Sequence, residues 1–451
     1  MPYRKTSKSV HKSEIPKNPT STNLLKAPKP VPTSELFYVS KHDVIRKIWP
    51  GLLHQIVQTI DHTGVCILAC VRRKGLDSTK ITTTVLVVCD SKKPPSHRHR
   101  SIAKIRELLD RNRLASVAVE FVPGHFTRGV SDLHQEELDH RAIQQPSMIS
   151  QSLALENANS SGTFAGFIEL NMPGETEYKT LGLTCFHCVN PNEHGHSTEY
   201  VHRILNWRRH GIQPHDSMRQ RLKVRHPSDV AIEDKIQSLN AGIALIREDP
   251  NYVKFRELER DGLGFTLGRG AKQAYERIVK TRAEMETFLR DINIFKANNR
   301  GAFGHIFAAS GLRTTTTHTP DGHYLRDSPI PADLDGMPLF IHGQRSGYCK
   351  GVKHPLDSLV LEDTMKDGEI TKRQTYEHSI CLLQGPRFSQ AGDSGSLVFT
   401  DSYVAVGMLF AGGNQHQLSF FTPIQDILDD IKHITKATNV RLKINRPGTS
   451  P

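Results

Sequence analysis

Two periodicities of hydrophobic residues alternate over the first third of the chain. Apolar positions recur at helical spacing in HDVIRKIWPGLLHQIVQTI (42–60) and SIAKIRELLDRNR (101–113), which predicts two helices. Segments rich in β-branched and apolar residues predict strands, namely GVCILACVRR (64–73), TTTVLVVCD (82–90) and ASVAVEFVPG (115–124). The resulting order, α-β-β-α-β, predicts a small α+β domain over residues 41–128. Because it contains no glycine-rich nucleotide loop, we interpret it as an interaction or packing module.

The second part of the chain combines strand patterns with one helical interruption. GTFAGFIEL (162–170) and YKTLGLTCFHCV (178–189) predict two strands. Residues 271–292 have the period of a long amphipathic helix, within an interruption that spans about 200–295. Strand patterns then resume and end in a closing helix. We therefore predict a β domain over residues 162–434 that carries a helical insertion.

Three further segments show neither periodicity. Residues 1–40 are rich in Pro, Ser and Thr, and the first 30 carry seven Lys or Arg against one Glu, which predicts a disordered basic leader. Residues 129–161 are polar and end in a run of Asn, Ser and Gly, as is typical of a linker. Residues 435–451 are expected to form a C-terminal tail.

Composition and charge narrow the class of protein. A chain of 451 residues with 37% hydrophobic content can bury more than one core. The seven cysteines lack the spacing of a disulfide framework, which favours a reducing compartment. No secretory signal and no apolar run of about 18 residues is present, so we expect an intracellular protein, cytoplasmic or nuclear, without a membrane anchor. The net charge of +12 suggests nucleic-acid binding only through the basic leader.

A glycine-flanked serine is the first candidate for chemistry. The stretch Gly392-Asp393-Ser394-Gly395-Ser396 precedes an apolar strand pattern, and its glycines permit a sharp turn that presents the serine hydroxyl and free backbone N–H groups. This arrangement suits an acyl-transfer nucleophile. A polar hairpin turn has the same composition, so this stretch alone leaves both interpretations open.

A histidine about two hundred residues upstream provides a partner for the serine. His187 lies in GLTCFHCV, after a strand-like run and among small or apolar residues. Histidine is the usual base for a serine nucleophile, because its ordinary pKa of about 6.5 lets it take and return a proton near neutrality. A buried core histidine is the alternative interpretation. The pair, and neither residue alone, favours a hydrolase.

These two stretches resemble those of the trypsin-like or chymotrypsin-like serine peptidases of the PA clan. In that family the histidine lies in an L-T-A-A-H-C run and the serine in G-D-S-G-G. The corresponding residues here are Leu183-Thr184-Cys185-Phe186-His187-Cys188 and Gly392-Asp393-Ser394-Gly395-Ser396. The arrangement is also similar to that of fungal multidomain proteins that carry such a domain behind an α+β module. The resemblance covers roughly residues 160–434.

The resemblance implies a double β-barrel of trypsin-like type with the site in the cleft between the barrels. His187 would be the general base and Ser394 the nucleophile of a serine endopeptidase that forms an acyl-enzyme with a peptide or protein substrate. The backbone N–H groups of Gly392 and Ser394 would form the oxyanion hole. Asp393 would be structural. Neither a cofactor nor a metal is implied.

The resemblance also places a substrate pocket beside the serine. Its border would be formed by Phe388, Ala411, Gly412 and Gly413. Phe388 stands six residues before Ser394, where trypsin-like members that cleave after Lys or Arg carry an acid. A preference for basic residues at the cleavage site is therefore not expected.

The carboxylate that would orient the histidine has three candidates. Asp327 ranks first, because the strand pattern FGHIFAASGLR (303–313) precedes it. Directly after it, however, Ser328-Pro329-Ile330-Pro331 replaces the apolar D-W-A-L-I type of strand, and two prolines do not suit a central strand. Either the domain is a degenerate relative, or the sequence lacks a segment after Asp327. Asp229, followed by Val-Ala-Ile, ranks second, and Asp291, at the end of the amphipathic helix, is a distant third.

Two other functions compete with peptide hydrolysis. The interrupted segment after Asp327 would suit a catalytically inactive trypsin-like scaffold or binding protein. A basic nucleic-acid-binding protein would depend on the leader. A zinc site is not expected, because the cluster of His187, Cys188, His194 and His196 matches no common ligand spacing.

Overall fold

The structure is a computed structural model that describes most of the chain. The described residues are 35–74, 80–90, 98–128, 138–143, 148–193, 196–266, 268–298, 302–305, 325–327, 329–366, 369–382, 388–412 and 417–444. Most of the basic leader, and with it the hypothesis of nucleic-acid binding, lies outside these residues. The same is true of Gly413, which the sequence assigns to the substrate pocket.

The N-terminal module contains the predicted helices and strands. Its elements are β1 (Glu35–Phe37), α1 (Ile45–Thr59), β2 (Val65–Lys74), β3 (Ile81–Cys89), α2 (Arg98–Arg111) and β4 (Ala118–Pro123). β2 and β3 are antiparallel, whereas the crossover through α2 makes β4 parallel to β3. The apolar stripe of α1 includes Trp49, Leu53 and Ile56, which share one buried cluster with inward-facing strand residues.

The rest of the chain adds short strands, a helical insertion and a closing helix. Its first elements are β5 (Thr127–Arg128), β6 (Ser152–Leu155), β7 (Gly162–Thr163), β8 (Gly166–Asn171), β9 (Tyr178–Leu183), α3 (Thr198–His210), β10 (Lys223–Arg225), α4 (Asp229–Glu248), α5 (Pro250–Arg260), α6 (Arg269–Ala297) and β11 (Ala302–His305). The later elements are β12 (Pro338–Gly343), β13 (Gly347–Lys353), β14 (Ser358–Lys366), β15 (Glu369–Leu382), β16 (Leu397–Phe399), β17 (Ala405–Gly412), β18 (Leu418–Pro423), α7 (Ile424–Thr435) and β19 (Asn439–Leu442).

The described strands form one large sheet and two small ones. The large sheet has the order β13-β12-β16-β17-β18-β15-β14-β2-β3-β4, and β1 and β5 pair with β2 and β17 respectively. The small sheets are β11-β10-β6-β7 and β19-β8-β9. The protein is thus mostly β with several helices. β6 falls in the stretch expected to be a linker, and β19 falls in the stretch expected to be a tail.

The N-terminal module and the C-terminal half of the β domain share the large sheet. β2 pairs with β14 through Leu68 opposite Leu359 and Ile67 opposite Val360. Ile67 also belongs to a buried cluster that contains Leu418 and Phe420 of β18. Because this contact removes apolar surface of both parts from water, the module is packed onto the half of the protein that carries β17.

The helical insertion forms its own small core. Ser228 caps α4 and Asp249 caps α5, which starts with a proline where the missing N–H costs nothing. α6 is 29 residues long and shares a buried cluster with α4, to which Phe288 and Ile292 contribute. The amphipathic period at residues 271–292 is therefore explained by packing against α4.

All seven cysteines are free thiols. No described helix is both long enough and apolar enough to span a membrane.

Candidate active site

The predicted base lies on a tight turn that follows β9. A short 3-10 turn, Phe186–Val189, carries the half-buried His187. Cys185 and Cys188 are both buried and anchor this turn, because their thiols donate to the carbonyl oxygens of Leu409 and Ser394, each over 3.3 Å. The small polar side chains beside the histidine therefore fix its backbone against the second half of the chain.

The predicted nucleophile lies on a loop that only glycines allow. Gly392 and Gly395 have φ angles of +101° and +97°, in the region that L side chains rarely adopt. A Cβ on Gly395 would lie 2.1 Å from the carbonyl oxygen of Thr163, so a side chain is sterically excluded there as well. Ser394, between these glycines, is only 2% exposed, and its Oγ donates to the Phe410 carbonyl oxygen over 2.9 Å.

The structure brings the histidine and serine segments together. The thiol of Cys188 contacts the Ser394 carbonyl oxygen at 3.3 Å, and the Thr163 N–H donates to the same oxygen over 2.7 Å. The imidazole and the serine hydroxyl are not hydrogen-bonded to each other, however. His187 Nε2 is buried and has no hydrogen-bond partner among the described residues. A buried donor or acceptor of this kind is costly unless a ligand or a side-chain rotation satisfies it.

Asp393 is fully buried and is held by four donors. Its Oδ1 accepts from the N–H groups of Arg345 and Ser346 over 2.9 and 3.1 Å, and its Oδ2 accepts from the Gln390 N–H and the Ser346 hydroxyl over 2.7 and 2.5 Å. Burial raises the pKa of Asp393, and these hydrogen bonds act against that shift. A Cβ on Gly343 would lie 2.2 Å from Oδ1. The carboxylate therefore anchors the serine loop, which suits the structural part that the sequence assigns to it.

The Gly392 carbonyl group is fixed by two side chains that no sequence motif assigns to the site. Thr163 Oγ1 and Gln344 Nε2 both donate to it, over 2.9 and 2.8 Å. Among the described residues, none accepts the Gly392 N–H. This N–H and that of Ser394 are the predicted oxyanion donors. Gln344 and Thr163 carry no local motif, so only their fold-dependent proximity to the glycine loop identifies them.

Cys188 has a perturbed thiol. Hydrogen bonding with Cys185, followed by the hydrogen bond and charge of His187, lowers the pKa of Cys188 to about 5, against the effect of burial. A thiolate would face a lone pair of the Ser394 carbonyl oxygen at 3.3 Å, which is repulsive. We therefore assign Cys188 as a protonated thiol that donates to the Ser394 carbonyl oxygen. Its other neighbours act in the opposite direction, because they lower the pKa of the thiol.

None of the described carboxylates forms an ion pair with His187. Asp327 is half-buried on a short segment whose neighbour Arg326 is bonded through its backbone to Tyr403 and Ala405. Leu325 of this segment belongs to the same large buried cluster as Cys185 and Cys188.

The two other acid candidates have different partners. Asp229 is the first residue of α4, and it accepts the Asn157 N–H over 3.4 Å and lies 3.8 Å from Arg225. The Val-Ala-Ile that follows it is part of the helix α4. Asp291 lies within α6 and pairs with His140 over 3.1 Å.

The described residues of the predicted pocket lie in a buried cluster and in β17. Phe388 is 2% exposed and belongs to a buried cluster with Ile341 and Val398. Ala411 and Gly412 lie in β17, where they pair with Arg128 and Thr127 of β5. The described residues contain no group of three or more His, Cys, Asp or Glu that could hold a metal ion.

The family of the chain is established by its sequence. Residues 134–440, about two thirds of the chain, match Peptidase family S64, and this stretch contains both His187 and Ser394. The chain therefore belongs to peptidase family S64, a family of serine peptidases. No curated protein gives a match.

Two solved serine proteases have local similarity to this chain. One, described as "A glutamic acid specific serine protease utilizes a novel histidine triad in substrate binding", is 17% identical with a TM-score of 0.20, over 28% of this chain and 61% of that one. The other is a chymotrypsin of Cellulomonas bogoriensis, 16% identical with a TM-score of 0.20, over 29% of this chain and 62% of that one. The aligned region is thus less than two thirds of either protease.

Proposed function

We propose that this protein is a serine endopeptidase of the trypsin-like type, with Ser394 as nucleophile and His187 as general base. The observation that carries the proposal is the meeting of their two segments, which are joined by the 3.3 Å contact between Cys188 and Ser394 in a chain of a serine peptidase family. We also propose that the two halves of the β domain correspond to the two barrels of that type. The segments then converge where the halves meet.

The reaction would proceed through an acyl-enzyme. Ser394 Oγ bonds to the peptide carbonyl carbon while its proton passes to His187 Nε2, and the N–H groups of Gly392 and Ser394 bind the oxyanion. His187 then returns the proton to the leaving amine, and water repeats the sequence to release the acid. Ser394 must first rotate away from the Phe410 carbonyl oxygen. Such a rotation is a change between staggered rotamers, and catalytic hydrogen bonds commonly tighten only when substrate binds.

Asp327 is our proposal for the third residue of the site. Its support is the position of Leu325 in the same buried cluster as the cysteines that flank His187. For the substrate we propose a peptide or protein segment that binds in an extended conformation.

A catalytically inactive binding protein is the second candidate. It is favoured by one observation, that Ser394 donates to Phe410 while His187 Nε2 lacks a partner among the described residues. Digestion of a denatured-protein peptide library distinguishes the two. We expect new termini with the wild type and none with Ser394→Ala or His187→Gln. A folded wild-type protein that produces no new termini would favour the binding protein.

A further inference from the structure

We propose that Thr163 and Gln344 are positioning residues for the acyl-transfer step, because they hold the carbonyl group of Gly392 and thereby orient the oxyanion-binding loop. The inference rests on the proposed function of Ser394. Thr163 lies in β7, and Gln344 directly follows β12. Both residues are far from Ser394 in the sequence. Neither side chain is proposed to touch the reacting atoms.

The two side chains saturate a single acceptor. Thr163 Oγ1 donates to the Gly392 carbonyl oxygen over 2.9 Å and Gln344 Nε2 donates over 2.8 Å, which uses both lone pairs of that oxygen. Gln344 Nε2 also donates to Ser161 Oγ over 3.2 Å. The reversed amide would set its oxygen against the Gly392 oxygen, so this orientation is the one that the contacts require.

Gly392 needs such support because it has no side chain that would restrict its backbone dihedral angles. Its φ of +101° is freely reached only by glycine, and a Cβ there would lie 2.6 Å from Arg345 Cγ. An unsupported glycine peptide can reorient at little cost. The Gly392 carbonyl group belongs to the peptide plane between Gly392 and Asp393. Fixing this plane restricts the backbone rotations that connect it to the Gly392 N–H on one side and the Ser394 N–H on the other. Preorganised donors of this kind stabilise an oxyanion without reorganisation during the reaction.

Thr163 also connects the serine loop to the histidine turn. Its N–H donates to the Ser394 carbonyl oxygen over 2.7 Å, and its own carbonyl oxygen accepts from Thr184 Oγ1 over 2.8 Å. Thr184 precedes His187 by three residues. Thr163 is itself fully buried, so these bonds are made without competition from water. One residue therefore sets the serine loop relative to both the base and the oxyanion donors.

The test compares variants that keep or remove the donors. Thr163→Val removes the hydroxyl at nearly constant shape, whereas Thr163→Ser keeps it. Gln344→Ala removes the amide, and Gln344→Glu replaces the donor with an acceptor that repels the Gly392 oxygen. Gln425→Ala, on the exposed face of α7, is the matched control. Initial rates of p-nitrophenyl acetate hydrolysis, corrected with Ser394→Ala, give kcat and KM, and circular dichroism gives the thermal midpoint.

Loss of one oxyanion donor costs about 10²–10³ in kcat, so displacement of the donors should cost about tenfold to a hundredfold. We expect this loss in Thr163→Val, Gln344→Ala and Gln344→Glu with KM changed less than about twofold, because the interaction acts on the transition state. Thr163→Ser and Gln425→Ala should match the wild type.

Folded Gln344 variants with wild-type kcat would overturn the inference, as would a loss confined to KM. If Thr163→Val does not fold, the Gln344 variants decide the outcome. A wild type whose hydrolysis does not exceed that of Ser394→Ala would instead overturn the proposed function, and this inference with it.

Discussion

The thiol of Cys188 lies 3.3 Å from the carbonyl oxygen of Ser394, a residue 206 positions further along the chain. This contact joins the turn of the candidate base to the loop of the candidate nucleophile. Gly162 completes it, because a Cβ on this glycine would lie 2.1 Å from the Cys188 sulfur and 3.1 Å from the Ser394 oxygen. Three distant parts of the sequence therefore close around one backbone position.

Gly162→Ala is expected to destabilise the protein and to remove hydrolysis. The added methyl group must displace Cys188 and the Ser394 loop, and overpacking of this kind costs about 1–3 kcal/mol. Urea unfolding and peptide digestion measure the two effects. Gly51→Ala is the matched control, because nothing lies within 4 Å of a Cβ at that exposed helical position.

The double variant Gly162→Ala/Cys188→Gly separates the clash from other effects. Removing the Cys188 side chain removes the two closest contacts of the new methyl group, so part of the lost stability should return. Strictly additive free energies in the two single variants and the double variant would contradict the contact.

Asp393→Asn is expected to disorder the serine loop. The new amide would turn an Nδ2 donor toward the donors that now serve the carboxylate, and a buried donor left unsatisfied costs about 1–3 kcal/mol. We predict a lower free energy of unfolding together with loss of hydrolysis. Asp401→Asn, an exposed position near the start of β17, should change neither. Full hydrolytic activity in Asp393→Asn would show that the loop does not depend on this carboxylate.

Asp327→Asn tests the proposed third residue. Removing the carboxylate that orients a catalytic histidine lowers kcat by about 10⁴ in the best-studied serine peptidase, and we expect about 10³–10⁴ here. Asp229→Asn, at the start of α4, should retain wild-type kcat. A large loss in Asp229→Asn with an active Asp327→Asn would reverse the assignment.

Two buried histidines should make the protein less stable in acid. Burial lowers the pKa of both His226 and His354 to about 4, so in the folded chain they stay neutral at pH values where the unfolded chain binds protons. The free energy of unfolding should therefore fall as pH decreases from about 6.5 to 4, on the order of 2 kcal/mol for each histidine.

Urea unfolding at several pH values measures this slope. His226→Gln should flatten it, and the same substitution at His433, which is exposed on α7, should not. A slope that is unchanged in His226→Gln would contradict the assignment to this residue.

The parts of the site that could be predicted from the sequence are those with local signatures. Ser394 stands out because its loop needs glycines at Gly392 and Gly395, where φ is positive. The start of α4 at Asp229 could also be predicted locally, because a serine directly before an acidic residue, here Ser228, is typical of a helix N-terminus. The apolar run after Asp229 therefore belongs to a helix.

Other parts depend on contacts that no local pattern records. Thr163 and Gln344 are ordinary polar residues until the fold sets them against Gly392. The burial of Phe388 in one cluster with residues of β12 and β16 likewise follows only from the fold. The sharing of one sheet by the N-terminal module and the β domain likewise follows from β2 pairing with β14, which sequence periodicity does not specify.

The central claim is that Ser394 is a nucleophile activated by His187. Treating the folded protein with a fluorophosphonate and mapping the adduct by peptide mass spectrometry tests it most directly. The account predicts one adduct, on Ser394, that is lost in Ser394→Ala and strongly reduced in His187→Gln. A folded wild-type protein that remains unmodified, or one that is modified equally well in His187→Gln, would contradict it.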